Sequence, residues 1–168
     1  MKLHPIRAAL LLGCSLFATS VLAQGSLLIN VEIPKQAQGP ALRPYVAVWI
    51  EDATEQPVRL IEIWVEKPDW IKDLRRFWRK TGRADQALVD ARTGATKGPG
   101  KYQLRWDGID DKGQSVAPGQ YQLVVEAARE HGGRNLVKQA FTWDGSAIDI
   151  QIKAGSEIGE VTLTKGAK

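Results

Sequence analysis

Few residues in this chain are equipped for chemistry, and they do not cluster in sequence. Residues 24–168 hold one histidine, His131, flanked by Arg129 and Glu130. A metal site wants three or more ligands, so His131 reads as a hydrogen-bonding group or as a polar residue at a strand end before Gly132 and Gly133. Asp107, Asp110 and Asp111 lack the alternating pattern and closing glutamate of a calcium loop. There is no Ser-His-Asp arrangement, no phosphate-cradling loop and no dinucleotide fingerprint. What remains is Asp90-Ala91-Arg92-Thr93-Gly94-Ala95-Thr96, followed by Gly98-Pro99-Gly100. Gly94 and Ala95 keep bulk away from the Thr96 hydroxyl, and the Gly-Pro-Gly run argues against burial in a strand. The segment predicts an accessible hydroxyl on a long loop, with Asp90 accepting backbone N–H bonds to hold the turn.

The elements that must position these groups are mostly strands. Residues 26–33, 45–50, 58–65, 102–106, 120–128, 136–143, 148–152 and 160–163 are rich in β-branched and aromatic side chains between turn residues. In the third of these, alternation puts Leu60, Glu62, Trp64 and Glu66 on one side and Ile61, Ile63 and Val65 on the other. One segment changes period. After Pro68 and Asp69, residues Trp70, Ile71, Leu74, Phe77 and Trp78 recur at helical spacing up to Gly82. Lys72, Arg75, Arg76, Arg79 and Lys80 take the opposite face of this amphipathic helix. The pattern predicts an all-β, immunoglobulin-like sandwich with one inserted amphipathic helix and a long functional loop over 83–101. Trp106-Asp107-Gly108-Ile109-Asp110-Asp111-Lys112-Gly113 reads as a hairpin, and it resembles the hairpin signature of small immunoglobulin-like domains in exported bacterial proteins, the flagellar hook-capping protein among them.

The first segment is an address. Lys2 and Arg7 precede an acid-free apolar run that ends at Leu22-Ala23-Gln24. This is the pattern of a secretory signal peptide over 1–23, cleaved after Ala23, leaving a single domain over 24–168 exported to the periplasm. Leu11-Leu12-Gly13-Cys14 loosely resembles a lipoprotein site, but the apolar run continues past Cys14. No later stretch is apolar enough to span a bilayer. The formal charge of +4, less the two basic residues Lys2 and Arg7, leaves +2. That is too weak to argue for nucleic acid. Residues 24–168 contain no cysteine, which excludes disulfides and thiol chemistry from them.

The Asp90–Thr96 stretch resembles the flavinylation motif D-x-x-[ST]-G-A-[ST], recognised by FAD:protein FMN transferases. Those enzymes move FMN from FAD onto the last Ser or Thr through a phosphoester bond. The motif is known in flavin-bearing subunits of the sodium-pumping NADH:quinone reductase. Arg92 departs from the apolar residue common before the first Ser/Thr. The chain from Pro44 to about Gly132 also resembles an uncharacterised periplasmic family, the domain of unknown function numbered 2271. The matching stretches are Arg43-Pro44-Tyr45-Val46-Ala47-Val48-Trp49-Ile50-Glu51, Leu74-Arg75-Arg76-Phe77-Trp78-Arg79, Thr93-Gly94-Ala95-Thr96, Trp106-Asp107-Gly108 and Glu126-Ala127-Ala128-Arg129-Glu130-His131-Gly132.

These resemblances imply Thr96 as covalent FMN acceptor, with Asp90, Thr93, Gly94 and Ala95 as its recognition frame. They imply a flavin transferase as partner, a membrane-bound reductase as electron donor, and an electron carrier rather than a turnover enzyme. On this reading Arg75, Arg76 or Arg79 pairs with the FMN phosphate or an acidic redox partner, since the guanidinium fork suits phosphate oxygens. His131 hydrogen-bonds the flavin or its phosphate. Of Trp49, Trp64, Trp70, Trp78 and Trp106, one is free to lie against the ring while the rest form core. The alternative is a cofactor-free binding module that docks to a cell-envelope complex through the basic helix and a sheet edge.

Overall fold

The computed structural model describes residues 25–36 and 42–167; the leader over 1–23, its cleavage point and Cys14 lie outside the described residues. The strands are β1 (Leu27–Ile33), β2 (Tyr45–Asp52), β3 (Pro57–Trp64), β4 (Thr93–Gly94), β5 (Gly100–Trp106), β6 (Gly119–Ala128), β7 (Arg134–Trp143), β8 (Ile148–Lys153) and β9 (Glu160–Lys165). The eight segments read as strands are strands. The two-residue β4 was not expected. One sheet has the order β5-β1-β9-β8 and the other β4-β3-β2-β6-β7, antiparallel throughout except that β4 runs parallel to β3.

β1 shows why the two sheets pack. Leu27, Ile29, Val31 and Ile33 are buried while Leu28, Asn30 and Glu32 point outward, which is the period-two pattern of a half-buried strand. Their inward row meets Val46, Val48, Ile50, Leu123, Val125, Phe141 and Trp143 from the other sheet in one apolar core. Strands β2 and β6 are different, with Tyr45 to Glu51 and Leu123 to Ala128 buried without alternation. Both of their faces are covered, which the nearly continuous apolar runs reflect.

The second cover lies between β3 and β4. It is not the single helix the periodicity predicts. It consists of a 3-10 stretch (Pro68–Asp73), one α turn α1 (Arg75–Phe77), a π turn (Trp78–Gly82) and a second helix α2 (Gln86–Arg92). The apolar face was read correctly, for Ile71, Leu74 and Phe77 are buried against Ala47, Trp49, Leu60, Ile63 and Val124. The continuity was not. Leu74 leaves helical geometry (φ −77°, ψ 75°), and the N–H groups of Arg76 and Phe77 then donate to Glu126 of β6 at 3.1 and 2.8 Å. A carboxylate from a distant strand therefore serves as the helix cap, a partner no local pattern announces. α2 corrects the long-loop reading. Asp85 caps it by accepting from the Leu88 N–H at 2.9 Å.

Two further expectations change. In β3 the pairing passes from Val48↔Glu62 to Trp49↔Leu60, so Ile61 is an extra residue in a β-bulge. The bulge puts Leu60 on the same face as Ile63 and Val65, under the helical cover, while Trp64 faces the inter-sheet core. And 107–118 is no hairpin between paired strands: β5 lies in one sheet and β6 in the other, so the segment carries the chain across. Its own turn is tight, with Asp110 accepting from the N–H groups of Lys112 and Gln114. Gly108 there has φ +76°, and a Cβ would lie 2.6 Å from the Trp143 ring.

Candidate functional site

The Asp90–Thr96 segment is built into the fold rather than standing off it. Asp90 sits on the exposed side of α2 and accepts from Gln86 Nε2 at 2.7 Å, so it holds a helix face and not a turn. Thr93 ends that helix, its hydroxyl donating to the Val89 carbonyl at 2.7 Å. Thr93 and Gly94 then pair with Ile63 and Trp64, and the Val65 N–H donates to the Gly94 carbonyl at 3.0 Å. Gly94 does not need to be glycine for packing: a Cβ would meet Glu62 Oε1, the Ile63 carbonyl and Trp64 Cδ1 at 3.7–3.8 Å, which are ordinary contacts. Ala95 is exposed.

Residues 95–99 form a strap that leaves β4 of one sheet and enters β5 of the other. Thr96, in its middle, is only 6% exposed. This overturns the expected open position of its side chain. The strap crosses an aromatic pair, Trp64 of β3 and Tyr102 of β5, with ring centroids 5.3 Å apart. Tyr102 Oη donates to the Gly98 carbonyl at 2.8 Å, which ties the strap down. Lys97 folds over both rings, Nζ lying 6.0 Å from the Trp64 centroid and 5.9 Å from that of Tyr102. Arg43 Nη1 reaches the Thr96 carbonyl at 3.4 Å. Among the described residues the Trp64 indole N–H is buried with no partner.

The other residues singled out in the sequence lie elsewhere. Arg76 is committed to a buried ionic layer under the helical cover. Its Nη2 lies 2.5 Å from Glu51 and 3.3 Å from Glu55. Burial alone would lower the Arg76 pKa, but the Glu51 and Glu55 carboxylates more than offset this and hold it above its ordinary value. Glu51 also accepts from Trp49 Nε1 and Gln122 Nε2, at 2.9 and 3.0 Å. Arg76 is therefore a structural cation, not a phosphate ligand. Arg75 and Arg79 are exposed on that cover. His131 is 83% exposed at the β6–β7 turn, with φ 53°. The order β4-β3-β2-β6 puts three inter-strand steps between Gly94 and that turn, about 14 Å at the usual spacing. Asp110 caps its own turn, and Asp111 accepts from the Leu60 N–H at 3.0 Å beside Arg59. A cleft of about 780 Å³ opens at the other end of α2, between Asp52, Val58, Lys80, Leu88, Asp111 and Tyr121; Thr96 does not line it.

What the structure does gather around Thr96 is Arg43, Trp64, Lys97 and Tyr102. Sequence reasoning named Trp64 only as one of five tryptophans and missed the roles of the others. Lys97 directly after Thr96 was the one local signal. The pairing of Trp64 with Tyr102 joins two sheets and has no signature in sequence. For a flavin on Thr96 the residue types suit the group, with two aromatic rings, an unpartnered donor and a cation, while Trp64 itself is 1% exposed and packed in the inter-sheet core.

Comparison with known families gives one match. The family model described as "Predicted periplasmic protein (DUF2271)" covers residues 26–160. No curated protein and no solved structure matches. Among the described residues no helix is long and apolar enough to cross a membrane.

Proposed function

We propose that this chain, which belongs to the periplasmic DUF2271 family, is an electron-transfer flavoprotein of immunoglobulin-like sandwich form that carries FMN covalently on Thr96. The observation that carries this reading is the pairing of the D-x-x-[ST]-G-A-[ST] motif with an unsatisfied, buried indole donor beside it. In the attachment step Thr96 Oγ attacks the FMN phosphorus of FAD on a transferase. The P–O–P bond breaks, AMP leaves, and the hydroxyl proton is released. With Thr96 only 6% exposed, it cannot enter another enzyme's active site as it stands. Residues 95–99 must lift first, which breaks the hydrogen bond from Tyr102 Oη to the Gly98 carbonyl.

The bound flavin supplies one- and two-electron redox chemistry. The chain supplies the rest. Trp64 and Tyr102 would border the attached group, Lys97 would balance the charge of its phosphate, and the two sheets hold these three residues together. A membrane-bound reductase is the proposed donor. Co-expression with a flavin transferase should add one FMN to the intact mass, and Thr96→Ala should abolish the addition. The burial of Thr96 favours the second reading, a cofactor-free docking module. That reading expects an unmodified mass under the same conditions, and a copurifying envelope partner whose binding Thr96→Ala leaves unchanged.

A further inference from the structure

Three buried side-chain nitrogens lack a partner among the described residues: Trp64 Nε1, Arg76 Nε and Arg129 Nη2. Two of them belong to guanidinium groups whose charge is already matched, Arg76 by Glu51 and Glu55, and Arg129 by Glu157 at 2.6 Å. Trp64 differs. An indole has a single donor, so its polar capacity is wholly unused in a residue 1% exposed. A donor left unsatisfied in a core costs about 1–3 kcal/mol, so an orphan of this kind calls for an explanation.

Its surroundings supply one. Trp64 Cδ1, the carbon bonded to Nε1, lies 3.8 Å from where a Gly94 Cβ would stand, so the polar edge of the indole borders β4 and the strap. The neighbouring groups narrow the choice of partner. The Tyr102 hydroxyl donates to the Gly98 carbonyl, and its lone pairs take no hydrogen bond from the Trp64 indole. Lys97 makes no ion pair with another described residue. Glu62 also borders Gly94, its Oε1 3.7 Å from the same point, and its charge favours the Lys97 side for any anion. An indole donor with an ammonium group 6.0 Å from the centre of its ring matches an anionic oxygen, and a phosphate offers several.

We infer that Trp64 Nε1–H and Lys97 form a phosphate-recognising pair that positions the group carried on Thr96, the indole donating to a phosphoester oxygen and Lys97 balancing its charge. This rests on Thr96 being the FMN acceptor. Both are positioning residues and take no part in electron transfer.

The test uses ¹⁵N-labelled full chain, co-expressed with and without a flavin transferase, the loading being read by intact mass. Trp64→Phe assigns the indole N–H signal; should that variant fail to fold, contacts with Tyr102 assign it in the wild type. On loading, the Trp64 signal should move downfield and its exchange with solvent should slow by about tenfold or more, as formation of a hydrogen bond requires. Lys97→Ala should still accept FMN, while the fluorescence anisotropy of the attached flavin falls. A loaded wild type whose Trp64 signal stays in place overturns this inference and leaves the flavin reading standing. A wild type that never gains the FMN mass overturns both.

Discussion

The helical cover and the strap both bury polar side chains, and they do so differently. Under the helical cover, Glu51 and Glu126 are fully buried, and their carboxylates collect donors from several elements. Glu126 takes the Arg76 and Phe77 backbone N–H groups, together with Arg134 Nε and Nη2 at 2.7 and 2.5 Å. In the strap Thr96 is nearly buried, and beside it the Trp64 indole N–H is buried with no described partner. A satisfied buried network fixes one arrangement of the chain. The Trp64 indole, by contrast, is a buried donor for which the folded chain supplies no acceptor. Charge and burial alone did not separate the two, since the arginines that looked like ligands belong to the first region.

That contrast can be broken or sharpened by measurement. The largest effect is expected from Glu126→Ala. It strips the α1 cap and leaves Arg134 unmatched, at a cost of about 3–5 kcal/mol, the range for breaking a buried pair; urea denaturation reads it. A loss below about 1 kcal/mol would remove the ionic layer from the list of structural supports. Acid should erode the same region next. Glu55, held at about 2 by its hydrogen bond to Lys138 and then by Arg76, has a folded pKa below its unfolded value near 4.5. Its contribution is present above that unfolded value and is lost as pH falls from about 4.5 toward 2. Being exposed, the group adds a modest slope. Glu55→Gln should flatten part of the stability–pH curve in this window; an unchanged curve rejects the assignment.

Smaller effects test the strap. Thr96→Val keeps the shape of a side chain only 6% exposed, so unfolding free energy should change by less than about 1 kcal/mol. A larger loss would make the hydroxyl structural and weaken its standing as an acceptor. Smallest of all, His131→Gly relieves a left-handed backbone (φ 53°) on an exposed turn. It should raise stability by a few tenths of a kcal/mol and leave FMN addition untouched. A drop in FMN addition would bring His131 back toward the site.

Legibility followed locality. The strands were readable because β-branched and aromatic runs between turn residues carry their signal within a few positions, as in Leu27 to Ile33. The burial of Ile71, Leu74 and Phe77 was readable for the same reason. The break at Leu74 was not, because its remedy is Glu126, some fifty residues away in sequence. α2 did leave a mark, Asp85 ahead of Leu88 and Val89, which the surrounding glycines and polar residues outweighed. The bulge at Ile61 is invisible to strict alternation, since it depends on what β2 pairs with.

By itself, the sequence determined a two-sheet β architecture, the apolar face of the inserted segment and a motif centred on Thr96. All of these rest on residue type at short spacing. Only the tertiary structure decided that Thr96 is nearly buried within a strap between the sheets, that Arg76 is spent on Glu51, and that Trp64, Lys97 and Tyr102 meet beside the motif. Those outcomes depend on which strands become neighbours and on which charges lose water together. Strand pairing and desolvation are properties of the whole folded chain, and no window of adjacent residues contains them.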